Sequence, residues 1–208
     1  MIAILVDLDG VLWFSEKAHK DSFVEAFKLF TDDADSIITN TWSFGESTEN
    51  YSRRLLNIIG MGSDQQALNS LVERKRVVAN SIIDIPINYE LLSALGKIKS
   101  SDILVALVSS SSKINVNKFI EISQSAHIFD CVVDGSHAEN PKPRPDCYVY
   151  AMSKLVVSPL NCIAIEDSDV GQIAARDAGI SLVLKYPASF EVITIEKLLR
   201  SMTQKLVG

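Results

Sequence analysis

Asp7 and Asp9 stand two residues apart where an apolar run ends, in Ile2-Ala3-Ile4-Leu5-Val6-Asp7-Leu8-Asp9-Gly10-Val11-Leu12. In an extended segment residues i and i+2 point the same way, so the two carboxylates share a face. Two acids held together call for a divalent cation, or one of them must keep its proton. A second acidic pair, Glu166-Asp167, follows the apolar run Cys162 to Ile165. Between the two pairs lie the hydroxyl run Ser109-Ser110-Ser111-Ser112 and a lysine set among prolines, in Pro141-Lys142-Pro143-Arg144-Pro145-Asp146. Oxygen ligands, a hydroxyl and one ammonium suit a group in transfer whose negative charge is spread over several oxygens, as in a phosphoryl group. Each feature alone has an ordinary explanation as a turn or cap acid, a loop serine or a solvated lysine. What gives the set its weight is that nearly every member follows a predicted strand.

Those strands must do the positioning. Five successive apolar residues before Asp7 have no polar face to show water, the pattern of a strand covered on both sides in a parallel sheet. Ile103 to Val108, Cys131 to Val133, Cys162 to Ile165 and Ser181 to Leu184 read as four more. Helices are predicted between them: one carries Leu91, Leu92, Leu95 and Ile98, and one runs from about Lys113 to Ser123. Another has Pro145 as its first helical residue. The next runs through Gly171, Ala174, Ala175 and Ala178 to a cap at Gly179, and a closing helix is marked by Ile193, Leu198, Leu199 and Met202. Such alternation implies an α/β, Rossmann-like parallel sheet with helices on both faces, whose ligands bind at the carboxyl edge of the strands.

The segment after the first strand breaks this rhythm. Phe23, Phe27 and Phe30 form one helical stripe, in a helix expected from Ala18. Tyr51, Leu55, Ile58 and Ile59 suggest a second helix ending near Gly60 and Gly62. Ser63 with Gln66 makes a capping box for a third, with Leu68, Leu71, Val72, Val78 or Ala79, and Ile82. No strand signal interrupts this stretch, and a crossover needs only a dozen or so residues. The expected division is therefore a core of residues 1–14 and 86–208 and an inserted all-helical cap domain of residues 15–85.

With 208 residues, 47% of them hydrophobic and 22% charged, the chain can bury a full core. A formal net charge of -6 shows no basic excess for nucleic acid or anionic lipid. Only the short apolar run Met1 to Val6 precedes Asp7, with no basic stretch before it, and no apolar run reaches transmembrane length. Cys131, Cys147 and Cys162 fit neither a zinc site nor a disulfide framework. The expectation is a cytoplasmic protein with reduced thiols, a monomer or weak homodimer, whose partner is a small phosphorylated metabolite rather than nucleic acid or membrane.

The order of these motifs resembles the haloacid dehalogenase superfamily, in its phosphatase and phosphomutase branch with a small helical cap. Asp7-Leu8-Asp9-Gly10-Val11-Leu12 matches the first motif, Ser109 the hydroxyl motif, Lys142 the lysine motif, and Glu166-Asp167-Ser168 with Gly171 the acidic motif. Ser15, Glu16 and His19 after the first motif are similar to β-phosphoglucomutase-like members. The resemblance implies a Mg²⁺-dependent phosphatase working through an aspartyl-phosphate. Asp7 would be the nucleophile and Asp9 the general acid and base. Asp7, Asp9 through its carbonyl, Asp167 and Glu166 would hold the metal, while Ser109, Ser110 and Lys142 would bind the transferring group. His19 is expected either to help bind substrate and assist Asp9, or to be a packed helix-start histidine; His127 and His137 read as structural.

Two departures matter. Trp13 and Phe14 stand where this branch carries a small polar residue and an acid, which makes the entry to the cap bulky and apolar. Thr48 stands in the cap loop where phosphoglucomutase-like relatives offer an arginine, which puts hydrolysis ahead of a sugar phosphomutase; Arg53 or Arg54 either substitutes for that arginine or is a solvated helix charge, the second being preferred, and Lys75 is a similar case. A phosphate-receiver signalling domain is shorter and has no such insertion. A catalytically silent interaction protein of the same fold would be free to lose Asp7, Asp9 or Lys142, and all three are present.

Overall fold

The computed structural model describes residues 1–43, 46–82, 84–187 and 197. The chain divides into two compact units, Met1–Phe14 with Pro86–Gly208, and Ser15–Ile85.

The first unit is built on five parallel strands: β1 (Ile2–Val6), β2 (Ile103–Val108), β3 (Cys131–Val133), β4 (Cys162–Glu166) and β5 (Leu182–Lys185). Their order across the sheet is β3-β2-β1-β4-β5. All of β1 and β4 is buried, as runs without a polar face require. Val6 lies level with Leu107 on one side and Ile165 on the other, so the residues that follow β1, β2 and β4 emerge together. At that edge the chain order of neighbouring strands reverses, the usual place for a ligand crevice in a doubly wound sheet.

The helices of this unit are α5 (Tyr89–Ile98), α6 (Lys113–Ser123), α7 (Asp146–Leu155) and α8 (Asp169–Asp177). Asn88 caps α5 through the Leu91 N–H, and Ser112 caps α6 through that of Asn115. Pro145 is the residue before α7 rather than its first residue, and β5 starts and ends one residue later than its pattern suggests. The residues marking a closing helix, Ile193, Leu198, Leu199 and Met202, lie outside the described residues. Trp13 is buried, its ring 5.9 Å from that of Phe119, and Phe14 stacks 6.3 Å from Tyr186. The bulky pair therefore has apolar partners inside this unit.

The second unit is helical throughout its described length: α1 (Glu16–Phe27), α2 (Ala34–Thr41), α3 (Thr48–Ile58) and α4 (Gln65–Ser81). Phe23, Phe27, Tyr51, Leu55, Leu68 and Leu71 share its core, and Phe23 meets Tyr51 edge to face at 4.8 Å. Helix α1 begins two residues before Ala18. Helix α2 leaves no strong trace in the sequence: its residues ADSIITNT are mostly poor helix formers, and only Ala34 and Ile38 are buried. The cap of α4 is Asp64, not Ser63, because one Asp64 carboxylate oxygen accepts the N–H groups of both Gln66 and Ala67. Lys75 is not solvated: it is buried, 5.1 Å over the Phe23 ring, with Nζ 2.9 Å from His19 Nδ1.

All three cysteines are free thiols. Burial pushes Cys147 up to about 11 and Cys162 up to about 12, so both are neutral core groups. Among the described residues, no helix is long and apolar enough to cross a membrane.

Candidate active site

Asp7 is the first residue past β1, and its N–H still donates to Ile165 O at 3.0 Å, so the sheet itself fixes the backbone beneath its carboxylate. Gly10, at φ +80°, turns the chain away; a Cβ there would overlap the Asp167 carboxylate, so glycine meets both a backbone and a space requirement. Ser168 caps α8 by accepting the Gly171 N–H, which seats the acidic pair between the end of β4 and the first turn of that helix. At Gly171 a Cβ would overlap the Glu166 carboxylate.

Lys142 joins these elements. Its Nζ donates to Asp7 Oδ1 at 2.6 Å, to Glu166 Oε1 at 2.6 Å and to Val108 O at 3.1 Å, which uses all three of its protons. Burial works against the ammonium, but the carboxylates of Asp7 and Glu166 outweigh it and hold Lys142 protonated, well above its ordinary value. Asp7 is also shifted upward, by burial first and then by the charge of Glu166, against the pull of Lys142. Burial and Glu166 push Asp167 up to about 6.

Asp7, Glu166 and Asp167 each offer a carboxylate oxygen, and these oxygens all lie within 4.8 Å of one another. Against three carboxylates stands one ammonium, which leaves two negative charges uncompensated when all are ionised. Glu166 Oε2 is buried and has no hydrogen-bond partner among the described residues. An all-oxygen set with this charge and a bare anionic oxygen fits a hard divalent cation.

The hydroxyl run is ordered beside this junction. Ser109 is buried; its N–H donates to Val133 O at 2.9 Å and its Oγ accepts the Ser111 N–H at 2.9 Å. Ser111 Oγ donates to Asp9 Oδ2 at 2.6 Å, which fixes the second acid of the first pair. Ser110 is exposed between them. His19 belongs to the helical unit, where Lys75 is its neighbour. Arg54 is held by Glu46 at 2.6 Å and lies 4.7 Å over the Tyr51 ring, while Arg53 is an exposed partner of Glu49. The His127 ring lies 3.2 Å from Gln124 O, and the His137 ring meets Asp134 and Tyr150.

Two residues of the junction escape the sequence reading. Ser111 differs from its serine neighbours only in its reach to Asp9. Tyr148 donates its hydroxyl to Glu166 Oε1, and its ring lies 5.1 Å from Lys142 Nζ. The available signal was a phenol on the apolar stripe of α7 formed by Cys147, Ala151, Met152 and Leu155, since a buried tyrosine seeks a partner for its O–H.

Comparison with known proteins agrees with this geometry. The profile described as haloacid dehalogenase-like hydrolase matches residues 4–185. Hexitol phosphatase B of Escherichia coli (strain K12) is 31% identical over 195 residues, covering 90% of this chain and 85% of that protein. Beta-phosphoglucomutase of Bacillus subtilis (strain 168) is 29% identical over 194 residues, covering 88% and 82%. The crystal structure of beta-phosphoglucomutase from Clostridium difficile has the same fold, with a TM-score of 0.71 at 23% identity over 100% of this chain and 99% of that one. The matched profile reaches from β1 to the end of β5 and so includes every strand that builds the junction of Asp7, Lys142, Glu166 and Asp167: the chain belongs to the haloacid dehalogenase-like hydrolases.

Proposed function

We propose that this protein hydrolyses the phosphomonoester of a small phosphorylated sugar, using Mg²⁺ and passing through an aspartyl-phosphate on Asp7. The observation that carries this reading is Lys142 Nζ at 2.6 Å from both Asp7 and Glu166, beside Asp167, at the carboxyl ends of β1 and β4. The sugar class rests on the 31% identical hexitol phosphatase. Residues 1–14 and 86–208 are the catalytic core in this reading, and residues 15–85 the cap domain.

An oxygen of Asp7 attacks phosphorus as the ester bond to the sugar oxygen breaks, and Asp9 gives its proton to that leaving oxygen. Asp9 then takes a proton from water, whose oxygen attacks the same phosphorus, and the Asp7–phosphoryl bond breaks to release phosphate and the free carboxylate. Ser111 holds Asp9 through its Oδ2 for both proton transfers. Ser109 accepts from the Ser111 N–H, so its own hydroxyl proton is available to a phosphoryl oxygen, with the Ser110 backbone amide as a further donor; the Lys142 ammonium, whose protons are engaged by Asp7, Glu166 and Val108 O, adds positive charge beside the group. Asp7, Asp167, the Asp9 carbonyl and Glu166 would hold Mg²⁺, which would supply positive charge to offset the crowded carboxylates and the anionic phosphoryl group.

A sugar phosphomutase is the second reading, supported by the 29% identical beta-phosphoglucomutase. It would hand the phosphoryl group to a sugar hydroxyl instead of water. Phosphate release from a panel of sugar phosphates, nucleotides and small acid phosphates, with Mg²⁺ and with chelator, decides between them. Metal-dependent release bears out the phosphatase. Isomerisation without net release, once a bisphosphate primer is present, selects the mutase, and silence in both shifts weight to a non-catalytic role.

A further inference from the structure

Glu166 is wholly buried, yet its two oxygens live in different surroundings. Oε1 accepts from Lys142 and from Tyr148, while Oε2 has no partner among the described residues. Lysine alone cannot enforce that asymmetry: an ammonium is a compact charge, and a glutamate carboxylate turns easily about its last torsion. Tyr148 can enforce it. Its side chain is fully buried on α7, so the ring is fixed and its hydroxyl has one direction in which to donate. The first turn of α8 closes the other side, where Gly171 lies too near the carboxylate for any Cβ.

We propose that Tyr148 is a positioning residue, whose hydroxyl locks the Glu166 carboxylate with Oε1 engaged and Oε2 left bare for the divalent cation or a water bound to it. The proposal rests on the Mg²⁺ reading above and extends it to a residue that touches neither substrate nor metal. Partners that orient a metal-binding carboxylate in this way are worth about 10–100-fold in metal affinity. The effect passes through Glu166, so it must vanish when Glu166 can no longer serve.

The test is Mg²⁺ binding to the full-length, metal-free chain, followed by titration calorimetry, for wild type, Tyr148→Phe, Glu166→Gln and the double variant. Phenylalanine keeps the ring beside Lys142 and removes only the hydroxyl. Tyr148→Phe is expected to weaken Mg²⁺ binding about tenfold or more. Its phosphate release should recover as Mg²⁺ is raised, with KM for the ester unchanged. In the Glu166→Gln background the same substitution should change Mg²⁺ affinity by less than about twofold, the non-additivity expected of two residues acting as one unit. A wild-type Mg²⁺ affinity in Tyr148→Phe overturns the positioning role alone, as does an equal loss in both backgrounds. A wild-type chain that takes up no Mg²⁺ overturns the metal reading itself, and the proposal with it.

Discussion

Replacing Lys142 by methionine keeps a long apolar stem and removes the one cation from a buried cluster of acids. The Lys142 side chain is 8% exposed, against 10% for Asp7 and 1% for Glu166, so no solvent stands ready to take its place. Removing one partner of such a pair costs about 3–5 kcal/mol, because the remaining charges stay buried. Each kcal/mol lowers the melting temperature of a chain this size by about 2–4 °C, so the expected fall in chelator at neutral pH is about 6–20 °C. The loss has a definite pH sign. Burial and Glu166 already raise Asp7 above its unfolded value, and removing Lys142, which opposes them, raises it further. The folded variant therefore holds a proton that the unfolded chain gives up above about pH 4, and it loses stability relative to wild type as pH rises from there. Scanning calorimetry at about pH 5 and at neutral pH, in chelator and in Mg²⁺, measures this directly. A fall under about 1 kcal/mol at neutral pH, or a gap between variant and wild type that does not widen with pH, would refute the reasoning.

Three further outcomes follow from the same geometry. Ser111→Ala removes a short donor to Asp9, a bond to a charged group worth about 1.5–3 kcal/mol, so kcat for phosphate release should fall about ten- to a hundredfold; an unchanged kcat denies Ser111 its role. Gly171→Ala puts a Cβ into the Glu166 carboxylate and should cost about 1–3 kcal/mol in thermal unfolding, with weaker Mg²⁺ binding; a wild-type melting temperature would mean that Glu166 has room to move. Asp167, raised to about 6, should cost the metal-free protein stability as pH rises from about 4 to about 6, a contribution that Asp167→Asn removes. The expected loss is about 1.5 kcal/mol after discounting for its partial exposure, and saturating Mg²⁺ should reverse it.

The sheet was legible because strands buried on both faces are written as unbroken apolar runs: β1, β2 and β3 fall where their residues predict, and β4 runs one residue further, into Glu166. Helix α2 was not, since Ala34 and Ile38 are too few buried positions to set a period over eight residues of low propensity. Lys75 misleads for another reason: a lysine in a helix is ordinarily solvated, and only tertiary placement beside His19 and Phe23 buries it. Within the junction, the acids and Lys142 stand out by type and by position after strands. Tyr148 and Ser111 do not, because what marks them is a single hydrogen bond to a residue 18 or 102 positions away.

The most direct test of the central claim is acid-quenched turnover with a sugar phosphate that the protein hydrolyses, followed by peptide mass spectrometry of wild type and Asp7→Asn. The expected result is one phosphoryl group on the peptide holding Asp7, present with Mg²⁺, absent with chelator, and absent together with phosphate release in Asp7→Asn. Undiminished phosphate release by Asp7→Asn, or a phosphoryl group trapped on another residue, would contradict it.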